Sequence, residues 1–336
     1  MGRFSLDVRV EHLPYKAPFR ISGYEFNGID SVQVTLTDGV HRGRGEGIGI
    51  YYMGDDAPHM LAELSRARAD IEAGADRAAL RDILPPGGAR NAVDAALWEY
   101  EAQRSGVPVW SLAGLSGVNP VVTAFTLGAD EPAVMAANAI AFGPVKAIKI
   151  KLTGELDLDL ARVRAIRAAR PDVWLAVDGN QGFAIGDLDA LVAAMVAAEV
   201  SLIEQPLARG REGDLDGYRS PIPIAADESA LALADVPGLV GRFQVVNIKL
   251  DKCGGLTEGL MIAQAARELG LDVMVGNMCG SSLSMAPAFV LGQRCDICDL
   301  DGPIFLKRDR VPGIVYRDGK AWCDEGVWGA DARIAA

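Results

Sequence analysis

The chain has 336 residues, half of them hydrophobic and 23% charged, a globular composition with enough apolar material for a large core. That length suits two ordinary domains or one large α/β barrel with an attachment. Its 45 acidic against 33 basic residues leave a net charge of −12, which argues against nucleic acid or an anionic membrane as partner, since both attract basic proteins.

From Met1 to Leu13 charged and apolar residues alternate, with no apolar run of signal-peptide length. No stretch approaches the ~20 apolar residues that span a bilayer, so the chain reads as cytoplasmic. The next residues resemble a small α+β unit. Phe4 to Val10 and Ser31 to Thr37 alternate as strands, with Asp38-Gly39 as the following turn. The run Gly43-Arg-Gly-Glu-Gly-Ile-Gly49 lacks dinucleotide-loop spacing and reads as a flexible loop leaving a strand. Helical spacing follows over Pro58 to Ile71 and over Ala89 to Arg104, where Gly106 and Pro108 end the second helix.

Beyond residue 120 the pattern changes. Eight short apolar runs recur, each followed by polar residues and then by a helical stretch: Val121–Leu127, Ala147–Leu152, Leu175–Asp178, Leu202–Glu204, Ile222–Asp227, Val245–Leu250, Asp272–Val275 and Asp296–Leu300. A strand, a helix and two loops need about that spacing, and so many alternating units imply a parallel sheet closed as a (β/α)8-type barrel. A doubly wound open sheet would use fewer strands and a glycine-rich first turn. Five cysteines lie in the last third. Cys295 and Cys298 read as buried thiols rather than a redox or zinc pair, because no second CxxC accompanies them and no histidine follows His59.

Barrels of this kind build their active sites at the C-terminal strand ends. In order, those ends carry Lys149 and Lys151, Asp178, Glu204, Asp227, Lys249, then Asp299 and Asp301. A charge directly after an apolar run is costly unless compensated, and structural ion pairs do not account for five consecutive strands ending this way. Asp178, Glu204 and Asp227 form an all-oxygen set, which suits Mg²⁺, or Mn²⁺, better than Zn²⁺. Lys151 and Lys249 flank those strands on either side. A lysine becomes a base when a nearby cation and a second ammonium disfavour its charge, and Lys149 sits on the same strand face as Lys151. Abstraction of a proton beside a carboxylate is the inferred chemistry, because Mg²⁺ stabilises the negative charge that builds on the carboxylate oxygens.

Lys149-Ile-Lys151, Val177-Asp-Gly-Asn180, Ile203-Glu-Gln-Pro206, Ala226-Asp-Glu-Ser229 and Asn247-Ile-Lys249 together resemble the enolase superfamily, in its muconate-lactonising subgroup. The resemblance covers nearly the whole chain. It implies a (β/α)7β modified barrel over residues 119–313, with an N-terminal α+β capping domain over 1–118 whose specificity loops lie near 16–28 and 47–57. The segment 314–336 is expected to return to that cap, and Ala89 to Trp98 to form the cap's last helix. Lysine bases working with Mg²⁺ are the superfamily's known pattern. The mandelate-racemase branch, with its barrel histidine, does not fit a barrel that has none.

Asp299-Leu-Asp301-Gly-Pro303 is similar to the Asp-x-Asp of dipeptide epimerases, where two aspartates receive the substrate's α-ammonium. By that resemblance Lys151 and Lys249 are catalytic, with Lys151 meeting the S-configured carbon. Lys149 polarises the carboxylate, Thr126 bonds the substrate backbone, and Asp251 is structural. The partner is a small dipeptide, with no nucleic acid or membrane, and the resemblance implies a homo-oligomer of unstated size. Relatives acting on Ala-Glu place an arginine in the first cap loop where this chain has Gly23 or Tyr24, and the 276–282 stretch also departs from the usual pattern. The dipeptide's side chains therefore stay open, with Tyr51, Tyr52 and Met53 either lining the specificity pocket or packing as ordinary loop. The rival readings are a muconate cycloisomerase-like or o-succinylbenzoate synthase-like enzyme on the same lysines, an N-acylamino-acid racemase, and a scaffold that lost its chemistry. Substrates of the enzymatic rivals give the two aspartates no ammonium to bind.

Overall fold

The structure, a computed structural model, describes residues 3–331. Three long strands open the chain, β1 (Ser5–Ile21), β2 (Tyr24–Thr37) and β3 (Arg42–Gly47), in one antiparallel sheet of order β1-β2-β3. The first two are longer than the alternation suggested. Their pairing runs from Ser5↔Thr37 to Ile21↔Tyr24 with one irregularity between Pro14 and Phe19, so the first cap loop is a continuous hairpin. Helices α1 (Ala57–Glu72) and α3 (Gly88–Ser105) cover the sheet, and α2 (Arg77–Ile83) packs against both of them.

The glycine run is strand as far as Gly47, and only Ile48 and Gly49 leave it as loop. Gly43, Gly45 and Gly47 present one face of β3 to α3, and α3 lies against their backbone. A Cβ on Gly43 would stand 1.9 Å from the Ala96 carbonyl oxygen, one on Gly45 1.9 Å from that of Ala92, and one on Gly47 2.2 Å from that of Gly88. Glycine on every second residue is the strand period, met by a helix whose facing positions are alanine and glycine. The run has no apolar face because the helix itself supplies the cover.

A second sheet holds eight parallel strands in sequence order: β5 (Ala124–Leu127), β6 (Ala147–Lys151), β7 (Trp174–Asp178), β8 (Leu202–Glu204), β9 (Ile224–Ala226), β10 (Val245–Ile248), β11 (Asp272–Val275) and β12 (Ile297–Cys298). Between β12 and β5, Leu300 donates its N–H to Thr123 Oγ1 at 2.8 Å, and Thr126 donates its N–H to Asp301 Oδ2 at 2.6 Å. The first apolar run is broken at Thr123. Its beginning, β4 (Val121–Val122), pairs antiparallel with β14 (Lys320–Trp322), which pairs with β13 (Val315–Arg317).

Two further expectations change. Not every strand is followed by a full helix: the 207–223 stretch, broken by Gly210, Gly213, Gly217 and Pro221, forms only the 3₁₀ turn Glu212–Leu215. After β12 comes a single turn, Gly302–Phe305, so the eight equal units give way to the (β/α)7β barrel that the family resemblance implied. Beyond β14, Trp328 Nε1 donates to the Arg44 carbonyl at 3.1 Å, and Gln103 Nε2 to that of Gly329 at 2.8 Å, tying this stretch to β3 and α3. Residues 332–336 of the expected C-terminal segment, and residues 1–2 of the cap, lie outside the described residues.

The five cysteines are free thiols. Cys295 and Cys298 bond to the carbonyls of Leu291 and Gly292, and burial raises both thiols, Cys298 to about 12, where a thiolate is disfavoured.

Candidate active site

The parallel register sets the functional groups side by side. Lys151 is opposite Asp178, and Asp178 opposite Glu204. Asp227 stands just past β9, Lys249 just past β10, and Asp299 and Asp301 just past β12. Asp178, Glu204 and Asp227 each offer an oxygen within 4.8 Å of the others, and all three are buried.

The lysines are held by these carboxylates. Lys149 Nζ lies 2.7 Å from Glu204 Oε2, 2.9 Å from Asp299 Oδ2 and 3.1 Å from Asp178 Oδ2. Lys151 bonds Asp178 at 2.6 Å and Lys249 bonds Asp227 at 2.6 Å, so the two stand at opposite ends of the carboxylate trio. Burial alone would push Lys149 down, but Asp299, Glu204 and Asp178 outweigh it and hold it well above the usual lysine value. The same balance, led by Asp227, raises Lys249. Lys149 is thus a fixed cation locked between three carboxylates, and it shares Asp178 Oδ2 with Lys151.

The carboxylates shift apart. Burial, then repulsion by Asp178, pushes Glu204 up, whereas Lys151 and Lys149 overcome the burial of Asp178 and hold it low. Burial and the neighbouring Asp299 raise Asp301 to about 7. At the strand ends, four ammonium groups (Lys149, Lys151, Lys249, Lys252) face six carboxylates (Asp178, Glu204, Asp227, Glu228, Asp299, Asp301). Glu204 Oε2 is buried and has only the Lys149 ion pair, without hydrogen-bond geometry. An all-oxygen trio of this kind fits a hard divalent ion.

Thr126 spends its donors on the aspartates. Its N–H goes to Asp301 Oδ2 at 2.6 Å and its hydroxyl lies 3.4 Å from Asp299 Oδ1, so in this structure it orients the pair. Asp251 accepts from Ile48 N–H at 2.7 Å, Gly49 N–H at 3.2 Å and Asn91 Nδ2 at 3.1 Å, joining the barrel to the cap.

Reading the sequence missed several groups. Lys252 Nζ bonds Asp227 Oδ1 at 2.6 Å and the carbonyl of Asn247 at 2.9 Å, while Asn247 Nδ2 bonds Glu204 Oε1 at 2.8 Å. Lys252 lies three residues, one helical turn, beyond Lys249, a spacing that could have flagged it. Tyr51 and Tyr52, which the sequence offered as pocket residues, line a cavity of about 490 Å³ between barrel and cap, whereas Met53 does not; Asn180 and Glu228 line it too, and the Tyr52 hydroxyl, Asn180 Oδ1 and Glu228 Oε2 are buried without partners. Unpaired polar atoms on a cavity wall are ready for a ligand.

Residues 132–319 match the family model "Enolase C-terminal domain-like", and residues 6–114 match that of the mandelate racemase / muconate lactonizing enzyme N-terminal domain. An N-acetyl-D-glutamate racemase of Pseudoalteromonas sp. is 42% identical over 72% of this chain and 76% of that protein. The L-Ala-D/L-Glu epimerase of Escherichia coli K12 is 34% identical over 94% of this chain and 98% of its own length. Among solved structures, an Agrobacterium tumefaciens enolase family member with homology to dipeptide epimerases, holding sodium and L-Ala-L-Glu, superposes with a TM-score of 0.91 at 36% identity, covering 97% of this chain and 100% of its own. A Methylococcus capsulatus dipeptide epimerase with Mg and L-Arg-D-Lys gives 0.90 at 30%, covering 98% and 99%.

Proposed function

The chain belongs to the mandelate racemase / muconate lactonizing enzyme family of the enolase superfamily, and from that premise we propose that it is a Mg²⁺-dependent dipeptide epimerase. It is an isomerase of the racemase/epimerase kind. The specific reaction proposed is inversion of the C-terminal residue's α-carbon in an L,L-dipeptide by two-base 1,1-proton transfer. What carries the reading is the placing of Lys151 and Lys249 at opposite ends of one carboxylate trio, with Asp299 and Asp301 across the same cavity.

Asp178, Glu204 and Asp227 would hold the metal. Once bound, such an ion supplies positive charge beside the substrate's carboxylate. Lys149, fixed against Asp178, Glu204 and Asp299, adds a second positive charge where negative charge grows as the α-proton leaves. Whichever of Lys151 and Lys249 is uncharged takes the proton at Nζ, and the other, as ammonium, returns one to the opposite face. In this assignment Lys151 serves the S-configured carbon and Lys249 the R-configured one. Asp299 and Asp301, steadied by Thr126, receive the dipeptide's ammonium.

Incubation with pools of L,L-dipeptides and Mg²⁺ in D₂O tests this, with mass spectrometry following deuterium at the C-terminal α-carbon. Exchange in a subset of dipeptides is expected, and no exchange from protein that binds Mg²⁺ would refute it. The 42% identity to an N-acetyl-D-glutamate racemase favours one second reading, racemisation of N-acylated amino acids by the same lysines. Such a substrate has no ammonium, so Asp301→Asn, which leaves the Lys149–Asp299 pair in place, would spare that reaction and damage the dipeptide one.

A further inference from the structure

Where the side chain of the epimerised residue goes follows from what the other directions already hold. At the barrel mouth the strand ends are filled by the carboxylate trio and its lysines, and one side by Asp299 and Asp301. The remaining direction is the cap, where the cavity wall is aromatic: Phe19 and Phe26 from the β1–β2 hairpin, Tyr51 and Tyr52 from the turn Tyr51–Met53, and Phe305. These rings fasten the hairpin to its surroundings. Phe26 meets Tyr51 at 5.0 Å between centroids, Tyr51 meets Tyr52 at 5.2 Å, and Phe19 meets Phe305 at 4.9 Å.

The charges around this wall are spoken for. The cationic residues lining the cavity are Lys149, Lys151 and Lys249, each paired with a carboxylate at the strand ends, and His12, whose Nδ1 lies 2.7 Å from Asp30. Arg20, on the hairpin, pairs with Glu25 at 2.6 Å, and Arg209 meets only the neutral Met53 sulfur at 3.4 Å; neither lines the cavity. The acids on the cap side are also engaged: Asp55 accepts from Gly88 N–H at 2.8 Å, and Asp56 from His59 N–H at 2.9 Å. A substrate carboxylate here would lose water, gain no cation and face acids.

Resting on the dipeptide-epimerase reading, we infer that the epimerised residue carries an apolar or aromatic side chain received by the Phe26–Tyr51–Tyr52 wall, and that acidic side chains are rejected. This sets the chain apart from its glutamate-named relatives. A ring or branched aliphatic group gains area and edge contacts against this wall, and the cavity of about 490 Å³ falls within the ordinary range for a small-ligand site.

The test is kcat/KM with Mg²⁺ for L-Ala-L-X, where X is Leu, Met, Phe, Glu or Lys, on the wild-type enzyme and on Phe26→Ala. The apolar X residues are expected to exceed Glu by about 100-fold, the discrimination that burying an unpaired carboxylate brings. Phe26→Ala is expected to lower kcat/KM for Leu and Phe about tenfold, mainly through KM. Glu within tenfold of Leu, or Lys fastest of all, would overturn the inference while leaving the epimerase reading standing, as would unchanged selectivity in Phe26→Ala. No turnover of any dipeptide would overturn the epimerase reading, and this inference with it.

Discussion

Truncating Asp251 to alanine removes the join between the barrel and the cap turn that carries Tyr51 and Tyr52. One oxygen, Oδ1, accepts all three bonds, from Ile48 N–H, Gly49 N–H and Asn91 Nδ2. Leaving a buried donor unsatisfied costs about 1–3 kcal/mol, so three together predict a loss of roughly 3–9 kcal/mol, less where water enters and, above about pH 6, offset in part because alanine also removes the costly buried charge. Asp251→Asn behaves differently, because its Oδ1 keeps the acceptor while the buried charge disappears. Burial raises the Asp251 carboxyl to about 6, despite the three bonds and with Asp55 adding repulsion. The folded protein therefore binds this proton more tightly than the unfolded chain, whose aspartate titrates near ~3.9. The ionised group costs stability as pH rises from about 4 to about 6, by roughly 3 kcal/mol in all. Urea denaturation at pH 4.5 and 7.5 measures this. Asp251→Asn should gain on wild type between those pH values, and Asp251→Ala should be the weakest of the three at pH 7.5, with kcat/KM falling alongside. An alanine variant within 1 kcal/mol of wild type at pH 4.5, or an asparagine variant as damaged as alanine, would refute the reasoning.

Gly45→Ala forces a methyl to within 1.9 Å of the Ala92 carbonyl, so α3 must move, with an expected cost of at least about 1–3 kcal/mol in urea denaturation. Tyr52→Phe removes a buried hydroxyl that has no protein partner, so Tm should hold or rise while kcat/KM falls about tenfold, and a clear Tm loss would show a structural bond instead. Removing metal with EDTA should abolish α-proton exchange. Mg²⁺ at about 100 times its Kd should restore it and add about 2.7 kcal/mol to the unfolding free energy, whereas exchange surviving in EDTA would contradict the metal assignment.

The barrel was legible because its strands are short apolar runs at even spacing, and its mouth because a charge after such a run has little other explanation. The structure brings Lys149, Lys151, Asp178, Glu204, Asp227, Lys249, Asp299 and Asp301 to one cavity or its floor. The β3 glycines misled because their cover is helix backbone 41 to 53 residues further along the chain, which no local alternation reveals. Thr126 was visible as a strand-end residue, yet that its donors turn to the aspartates depends on how β5 and β12 approach. Lys252 and the Tyr52 hydroxyl draw their meaning from three-dimensional neighbours alone, and so does the Phe26 wall, whose inward direction depends on the hairpin register.

The central claim is that two lysines work as a pair, one removing the α-proton from one face and the other delivering a different proton to the opposite face. Solvent deuterium entry at the C-terminal α-carbon of an accepted dipeptide, started separately from the L,L and L,D forms with Lys151→Ala and Lys249→Ala, tests it most directly. Neither variant should epimerise, and each should exchange deuterium into only one hand of substrate: the L,L form for Lys249→Ala and the L,D form for Lys151→Ala. Full epimerisation by Lys249→Ala would contradict the account.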